Sequence, residues 1–182
     1  MRVPPHDVQP GPCGGSAQRR APGQDNLLLA RPLSHPVRRG LPVVVTSVPS
    51  DSHNWNLVFL QLVLEELGHQ VANLGPCVPD GLLIAECLRL RPALVVVSTV
   101  NGHGFFDGMR LIRRFRARQE LAAIPVVIGG KLGIDGSGGE WNRRQMLSAG
   151  FDAVYEDGAA SMVAFRSYVG RLTASVNTSV DG

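Results

Sequence analysis

The stretch TSVPSDSHNWNLVFLQLVLEELGH, Thr46 to His69, decides the fold. It begins inside an apolar, β-branched run, LPVVVTSV (41–48), whose lack of polar alternation suits a strand covered on both faces. It ends in a segment where Leu57, Leu60, Leu64 and Leu67 recur at helical spacing, and Gly68 stands where a helix C-cap belongs. A strand feeding a helix through a short turn is the first half of a β-α unit. Asp51 and His53 sit in that turn, an unusual place for a solvent-facing Asp-x-His pair.

The same alternation continues outward. VANLG (71–75), ALVVVST (93–99), IPVVIGG (124–130) and DAVY (152–155) read as strands. PDGLLIAECLRL (79–90) reads as a helix with Pro79 near its first turn. FDGMRLIRRFRARQE (106–120) is amphipathic, with Met109, Ile112 and Phe115 or Leu111 facing inward. EWNRRQMLSAG (140–150) and residues 159–173 complete the helices. Five such units with short connections predict an α/β protein with a flavodoxin-like (Rossmann-like), doubly wound, five-stranded parallel sheet, expected order 2-1-3-4-5. Ligands of such sheets gather at the carboxyl ends of the strands, near the point where strand order reverses. That rule selects four loops: 49–56, 76–79, 99–105 and 129–139.

Composition narrows the classes. At 182 residues, 44% hydrophobic and 18% charged, the chain suits one ordinary globular domain of residues 41–175 with extensions. Residues 1–40 carry six arginines against Asp7 and Asp25, or +4, so the formal +3 leaves −1 for the rest. A near-neutral folded part predicts no nucleic-acid partner. The Pro/Gly/Arg-rich 1–40 segment shows no sustained period and reads as a disordered extension, and 176–182 as a flexible tail. No apolar run approaches the roughly 18 residues a membrane span needs, and the N-terminus has no compact hydrophobic signal region. Three cysteines, Cys13, Cys77 and Cys87, share no metal-ligand spacing and read as reduced thiols. Together these predict a cytoplasmic protein without a membrane partner.

Two flavodoxin-like functions conflict with the loops. A phosphoryl receiver needs an aspartate ending the third strand and a lysine after the fifth, where this chain has Ser98 and Thr99, then Glu156 and Asp157. A flavin-binding loop after the first strand needs hydroxyls and glycines for a phosphate, and Asp51 would repel one.

SDSHNWN (50–56) is similar to the Asp-x-His-x-x-Gly signature of the cobalamin-binding domain family of mutases and methyltransferases. VSTVNGHG (97–104) resembles that family's Ser-x-Leu segment and VIGGKLG (127–133) its Gly-Gly segment, in order and at the expected strand ends. The resemblance runs from about Leu41 to about Ala160. NLGPCVPD and GFDAVYEDG look like segments of the small subunits of glutamate (methylaspartate) mutases, the closest part of the family.

The resemblance implies that His53 is the axial cobalt ligand, replacing the cofactor's own dimethylbenzimidazole base. Asp51 would orient its imidazole from the second shell. It places the cofactor-binding residues at Ser50, Asp51, Ser52, His53 and Asn54 in the first loop. Ser98, Thr99 and Val100 follow after the third strand, and Gly129, Gly130, Lys131 and Leu132 after the fourth. Ser98 would hydrogen-bond the displaced base, Val100 stands for the usual Leu, and the two glycines would let backbone approach a flat ring. Lys131 and His103 are further candidates for the corrin rim. The chain departs from the signature at Asn56, which replaces its glycine and is expected to take left-handed backbone or to begin the helix. Trp55 beside it could cover the corrin or meet a partner.

By the same resemblance the cofactor is adenosylcobalamin (cobalt) and the reaction a radical carbon-skeleton rearrangement of glutamate to 3-methylaspartate. No arginine cluster for an amino-acid substrate appears in the four loops, and the chain is too short to add a TIM barrel of about 250 residues. It is therefore expected to work as part of a hetero-oligomer with a large TIM-barrel subunit. The alternatives are a corrinoid carrier for methyl transfer and a non-catalytic cobalamin-binding module.

Overall fold

The computed structural model describes residues 40–133 and 139–180, so most of the expected extension, residues 1–39, lies outside the described residues. The chain forms β1 (Pro42–Ser47), α1 (Trp55–Glu66), β2 (Gln70–Asn73), α2 (Asp80–Leu90) and β3 (Leu94–Thr99). It continues with α3 (Gly104–Arg116), a 3-10 turn (Gln119–Leu121), β4 (Val126–Gly130), α4 (Gly139–Ala149), β5 (Ala153–Glu156) and α5 (Ala159–Val180). All four strand pairings are parallel and the order is β2-β1-β3-β4-β5, as the alternating pattern requires.

Side chains alternate across the sheet and build two cores. Val44, Val95, Val97, Val126 and Ile128 face α2, α3 and α4, meeting Leu83, Leu111, Ile112, Phe115 and Met146. Val43, Val45, Leu94, Val96 and Val127 face α1 and α5, meeting Leu57, Leu60, Leu64, Phe165 and Val169. Helices on both faces explain why the strands read as continuous apolar runs. On α3 the inward stripe is Leu111, Ile112 and Phe115, all buried, and Met109 packs at the edge of that core.

The end of α1 shows how locally the chain is instructed. Gly68 has φ +88°, its N–H donates to Glu65 O (2.9 Å), and the N–H of His69 donates to Leu64 O (3.0 Å). That pair of bonds closes the last turn around a left-handed residue, which glycine adopts without strain. Leu67, one of the four periodic leucines, is the C-cap and is exposed, while Val63 takes a core place beside Leu60 and Leu64.

The last helix differs from expectation. It runs to Val180, so residues 176–180 of the expected tail are helical, and 181–182 lie outside the described residues. ASVNTSV holds no proline or glycine to stop the helix, Val176 packs against the α1–α5 core, and the Thr173 and Thr178 hydroxyls donate to Val169 O (2.8 Å) and Ala174 O (2.9 Å). Among the described residues no helix is long and apolar enough to cross a membrane.

Candidate functional site

The loop leaving β1 folds back on itself. The N–H of Asp51 donates to Val48 O (3.0 Å), and Asp51 O accepts from Ser47 Oγ (2.8 Å) and from the N–H of Cys77 (2.9 Å). This clamp buries the Asp51 side chain, which is 1% exposed, while the neighbouring His53 side chain is 48% exposed. One carboxylate oxygen of Asp51 accepts from the His53 N–H (3.0 Å) and from His53 Nδ1 (2.7 Å), and the other accepts from the N–H of Val100 (2.5 Å). Burial raises the Asp51 pKa, but the bonds from Val100 and His53 outweigh it and hold the carboxyl below its ordinary value.

An ionised carboxylate only accepts, so Nδ1 of His53 carries the proton. The lone pair is then on Nε2, which has no protein partner among the described residues. An imidazole locked in this tautomer by a buried carboxylate is built to donate to an electrophile outside the protein, above all a metal ion.

A second loop braces the first. Asn101 Nδ2 donates to Ser50 O (2.7 Å) and Ser50 Oγ (3.0 Å), while its Oδ1 accepts from the N–H of His103 (2.9 Å). Ser50 Oγ also donates to Asp107 on α3 (2.5 Å). Asn101 was not singled out as a site residue, although it lies inside the VSTVNGHG segment that resembles the family.

Beside this centre, at the carboxyl ends of β3, β4 and β5, a cavity of about 250 Å3 opens between α1 and α5. Trp55, Asn56 and Leu60 line it from α1, Met162 and Phe165 from α5, and Ser98, Val100, Gly129, Gly130, Lys131 and Tyr155 from the sheet edge. A largely apolar lining with a few polar groups suits a flat heterocycle. The α5 side and Tyr155 were missed as site residues, because their approach to the motif loops is a tertiary contact.

The remaining sequence candidates are dispersed. Ser52 and Asn54 are exposed on the first loop. Thr99 is buried with its hydroxyl on Asn101 Oδ1 (3.2 Å), and Leu132 is 5% exposed in the α2–α4 core; neither lines the cavity. His103 is exposed at the N-cap of α3. The glycines have local reasons as well. A Cβ on Gly129 would stand 3.1 Å from Tyr155 O, and Gly130 has φ +103° with its Cβ position inside the Thr99 carbonyl.

Asn56 does neither thing the sequence suggested. Asn54 is the N-cap, and Asn56 lies in the first helical turn, where its Nδ2 donates to Ser98 Oγ. The side chain is long enough to span from α1 to the end of β3, and the buried hydroxyl is the acceptor it reaches.

Among the described residues no three His, Cys, Asp or Glu side chains gather to hold a metal ion. A metal that brings its own macrocycle needs only a single axial donor. His53, with Nδ1 on Asp51, offers one such donor, and a slot lined by Val100 lies beside the loop, so the residues fit a corrinoid.

Comparisons with known proteins agree. The chain is 28% identical over 116 residues to a glutamate mutase sigma subunit from Fusobacterium nucleatum subsp. nucleatum, covering 64% of this chain and 85% of that one. Among solved structures it resembles a cobalamin-binding protein from Desulfitobacterium hafniense DCB-2, with TM-score 0.57 and 20% identity, covering 72% of this chain and 60% of that one. It also resembles a signal receiver domain of a histidine kinase from Syntrophus aciditrophicus, with TM-score 0.56 and 19% identity over 75% of this chain and 92% of that one, so the architecture is shared across functions. The sequence separates them: residues 41–166, well over half the chain, match the model of the B12 binding domain, and the chain belongs to that family.

Proposed function

We propose that this chain is the cobalamin-carrying small subunit of an adenosylcobalamin-dependent glutamate (methylaspartate) mutase. It presents the cofactor, with its own base displaced and His53 in that base's place, to a large subunit with a TIM-barrel catalytic domain. The observation that carries the reading is the Asp51–His53 hydrogen bond beside the α1–α5 cavity, which Val100, bonded to the same Asp51 carboxylate, lines. It supplies an oriented imidazole beside a slot for the displaced nucleotide.

In this reading the chain's residues bind and orient. Asp51 keeps the proton on Nδ1 of His53 and strengthens the imidazole as a ligand. Asn101 and Asp107 hold Ser50, and with it the loop carrying the pair. Ser98 offers its hydroxyl to the nucleotide base, while Val100 and the Gly129–Gly130 backbone line the slot. Ser52, Asn54 and Lys131 stand at the exposed rim, within the corrin's reach, and Thr99 and Leu132 shape the loops from beneath. When bound, adenosylcobalamin supplies the radical chemistry of the carbon-skeleton rearrangement. The name of the Fusobacterium nucleatum relative, a glutamate mutase sigma subunit, supports the mutase assignment and a hetero-oligomer. The free thiols Cys77 and Cys87 suit a reducing compartment, in keeping with the cytoplasm.

The test has two parts. Cobalamin added to the full chain should show the absorbance and electron-paramagnetic-resonance signature of a protein nitrogen on cobalt, lost in His53→Ala; an unchanged spectrum in that variant refutes the ligand assignment. Combined with a mutase large subunit and adenosylcobalamin, the chain should form 3-methylaspartate from glutamate. Cobalamin binding without that product would leave a carrier and remove the mutase.

A further inference from the structure

The hydrogen bond from Asn56 to Ser98 ties together two residues that line one largely apolar slot. Asn56 belongs to α1 and Ser98 to the end of β3, so the bond joins two walls of the same cavity. Ser98 is 3% exposed, and it lines the same cavity as the apolar Leu60, Val96 and Phe165. Ser98, Gly129 and Tyr155 are successive register partners on β3, β4 and β5 and so face the same side of the sheet. Tyr155 closes over Gly129, where a Cβ would stand 3.2 Å from the Tyr155 Cβ. On the α1 wall the Asn56 carboxamide occupies the Ser98 hydroxyl. The family signature has a glycine at this position, which leaves the space without a side chain.

We propose that Asn56 is a specificity residue of the slot, whose amide must release Ser98 before a nucleotide base can enter. The chain thereby disfavours corrinoids with a nucleotide tail relative to those without one. The proposal rests on assigning the α1–α5 cavity to the displaced tail. A tail-bearing corrinoid binds the state in which Asn56 has swung to solvent, so its apparent affinity falls by the fraction of chains in that state. A tail-less corrinoid meets His53 without disturbing the bond.

Full-length wild type, Asn56→Ala and Asn56→Gly are dialysed to equilibrium against hydroxocobalamin and, separately, against cobinamide, which lacks the nucleotide. Bound corrin is read by absorbance. Releasing one hydrogen bond corresponds to roughly two- to tenfold in affinity. Both variants should bind cobalamin tighter by about that factor and cobinamide no differently. Alanine preserves the start of α1 and glycine weakens it, so agreement between them separates the amide from helix stability. Unchanged or weaker cobalamin binding, or an equal gain for both corrinoids, overturns the proposal. If the wild type binds neither corrinoid, the cavity assignment fails and the proposal with it. A cobalamin-selective gain at Asn56 alongside a His53→Ala spectrum that does not change would instead refute the ligand assignment and leave the proposal standing.

Discussion

His53 and His69 flank the same helix and have been given opposite chemistries. Before α1, His53 donates from Nδ1 to the buried carboxylate of Asp51 (2.7 Å) and stays half exposed. After α1, His69 is 7% exposed and its Nδ1 accepts from the N–H of Leu41 (3.1 Å), so its proton sits on Nε2. One ring has its lone pair outside the protein, and the other spends it on the backbone where β1 begins. The partner of Nδ1, not the residue type, decides which histidine keeps a lone pair for something outside the protein and which is a structural fastener.

The largest effect should come from removing the partner of the first histidine. Asp51→Ala leaves the N–H groups of Val100 and His53 without their acceptor. At about 1–3 kcal/mol for an unsatisfied buried group, we expect a loss of roughly 2–3 kcal/mol in denaturant unfolding. Cobalamin affinity should fall with it. In Asp51→Asn, with the shape kept, the affinity loss should be about 10–100-fold, the range for removing a partner of a metal-ligating histidine. Undiminished affinity in Asp51→Asn would show that His53 needs no orienting partner, and the contrast between the rings would collapse.

His69→Ala should be intermediate. It strands the Leu41 N–H and costs about 1–3 kcal/mol of stability, while cobalamin affinity stays unchanged. A shift in affinity would mean the two ends of α1 are coupled.

The smallest effect is in acid. Burial lowers the pKa of His69 below its ordinary 6.5, so the unfolded chain binds its proton more readily than the folded one. Stability from this group is complete above pH 6.5 and is lost as pH falls toward the folded pKa, by at most about 1.4 kcal/mol per pH unit. The Asp51 pKa is also lowered, and its contribution is lost only further down, below the ordinary carboxylate range. Thermal unfolding between pH 7 and 5 should therefore fall in the wild type and flatten in His69→Gln. A slope that survives the substitution would assign it to other groups.

The sequence carried the fold because the information was local. LPVVV and ALVVV are short, β-branched apolar runs that read as doubly covered strands, and Gly68 stops α1 with a backbone geometry it adopts freely. The Asp51–His53 pair was legible for the same reason, lying within one short loop. Asn56 misled because its local options, a left-handed residue or a cap, were both weaker than a hydroxyl brought over by β3, 42 positions away. Asn101 bridges to Ser50 across 51 positions, and Tyr155 and Phe165 enter the cavity only when β5 and α5 close on the sheet. Such contacts have no period or motif to announce them. The α5 boundary was missed for lack of a breaker: the helix continues through Val180 with Val176 packed against the α1–α5 core.

Gly130 sets a limit on how this slot can be remodelled. With φ +103° and no room beside the Thr99 carbonyl, it accepts no larger residue without prising β4 from β3. The sheet is thus the rigid jaw of the opening and the two helices the adjustable one. Selection or protein engineering aimed at a bulkier or smaller guest has Asn56, Leu60, Met162 and Phe165 to vary, and should leave the strand ends alone.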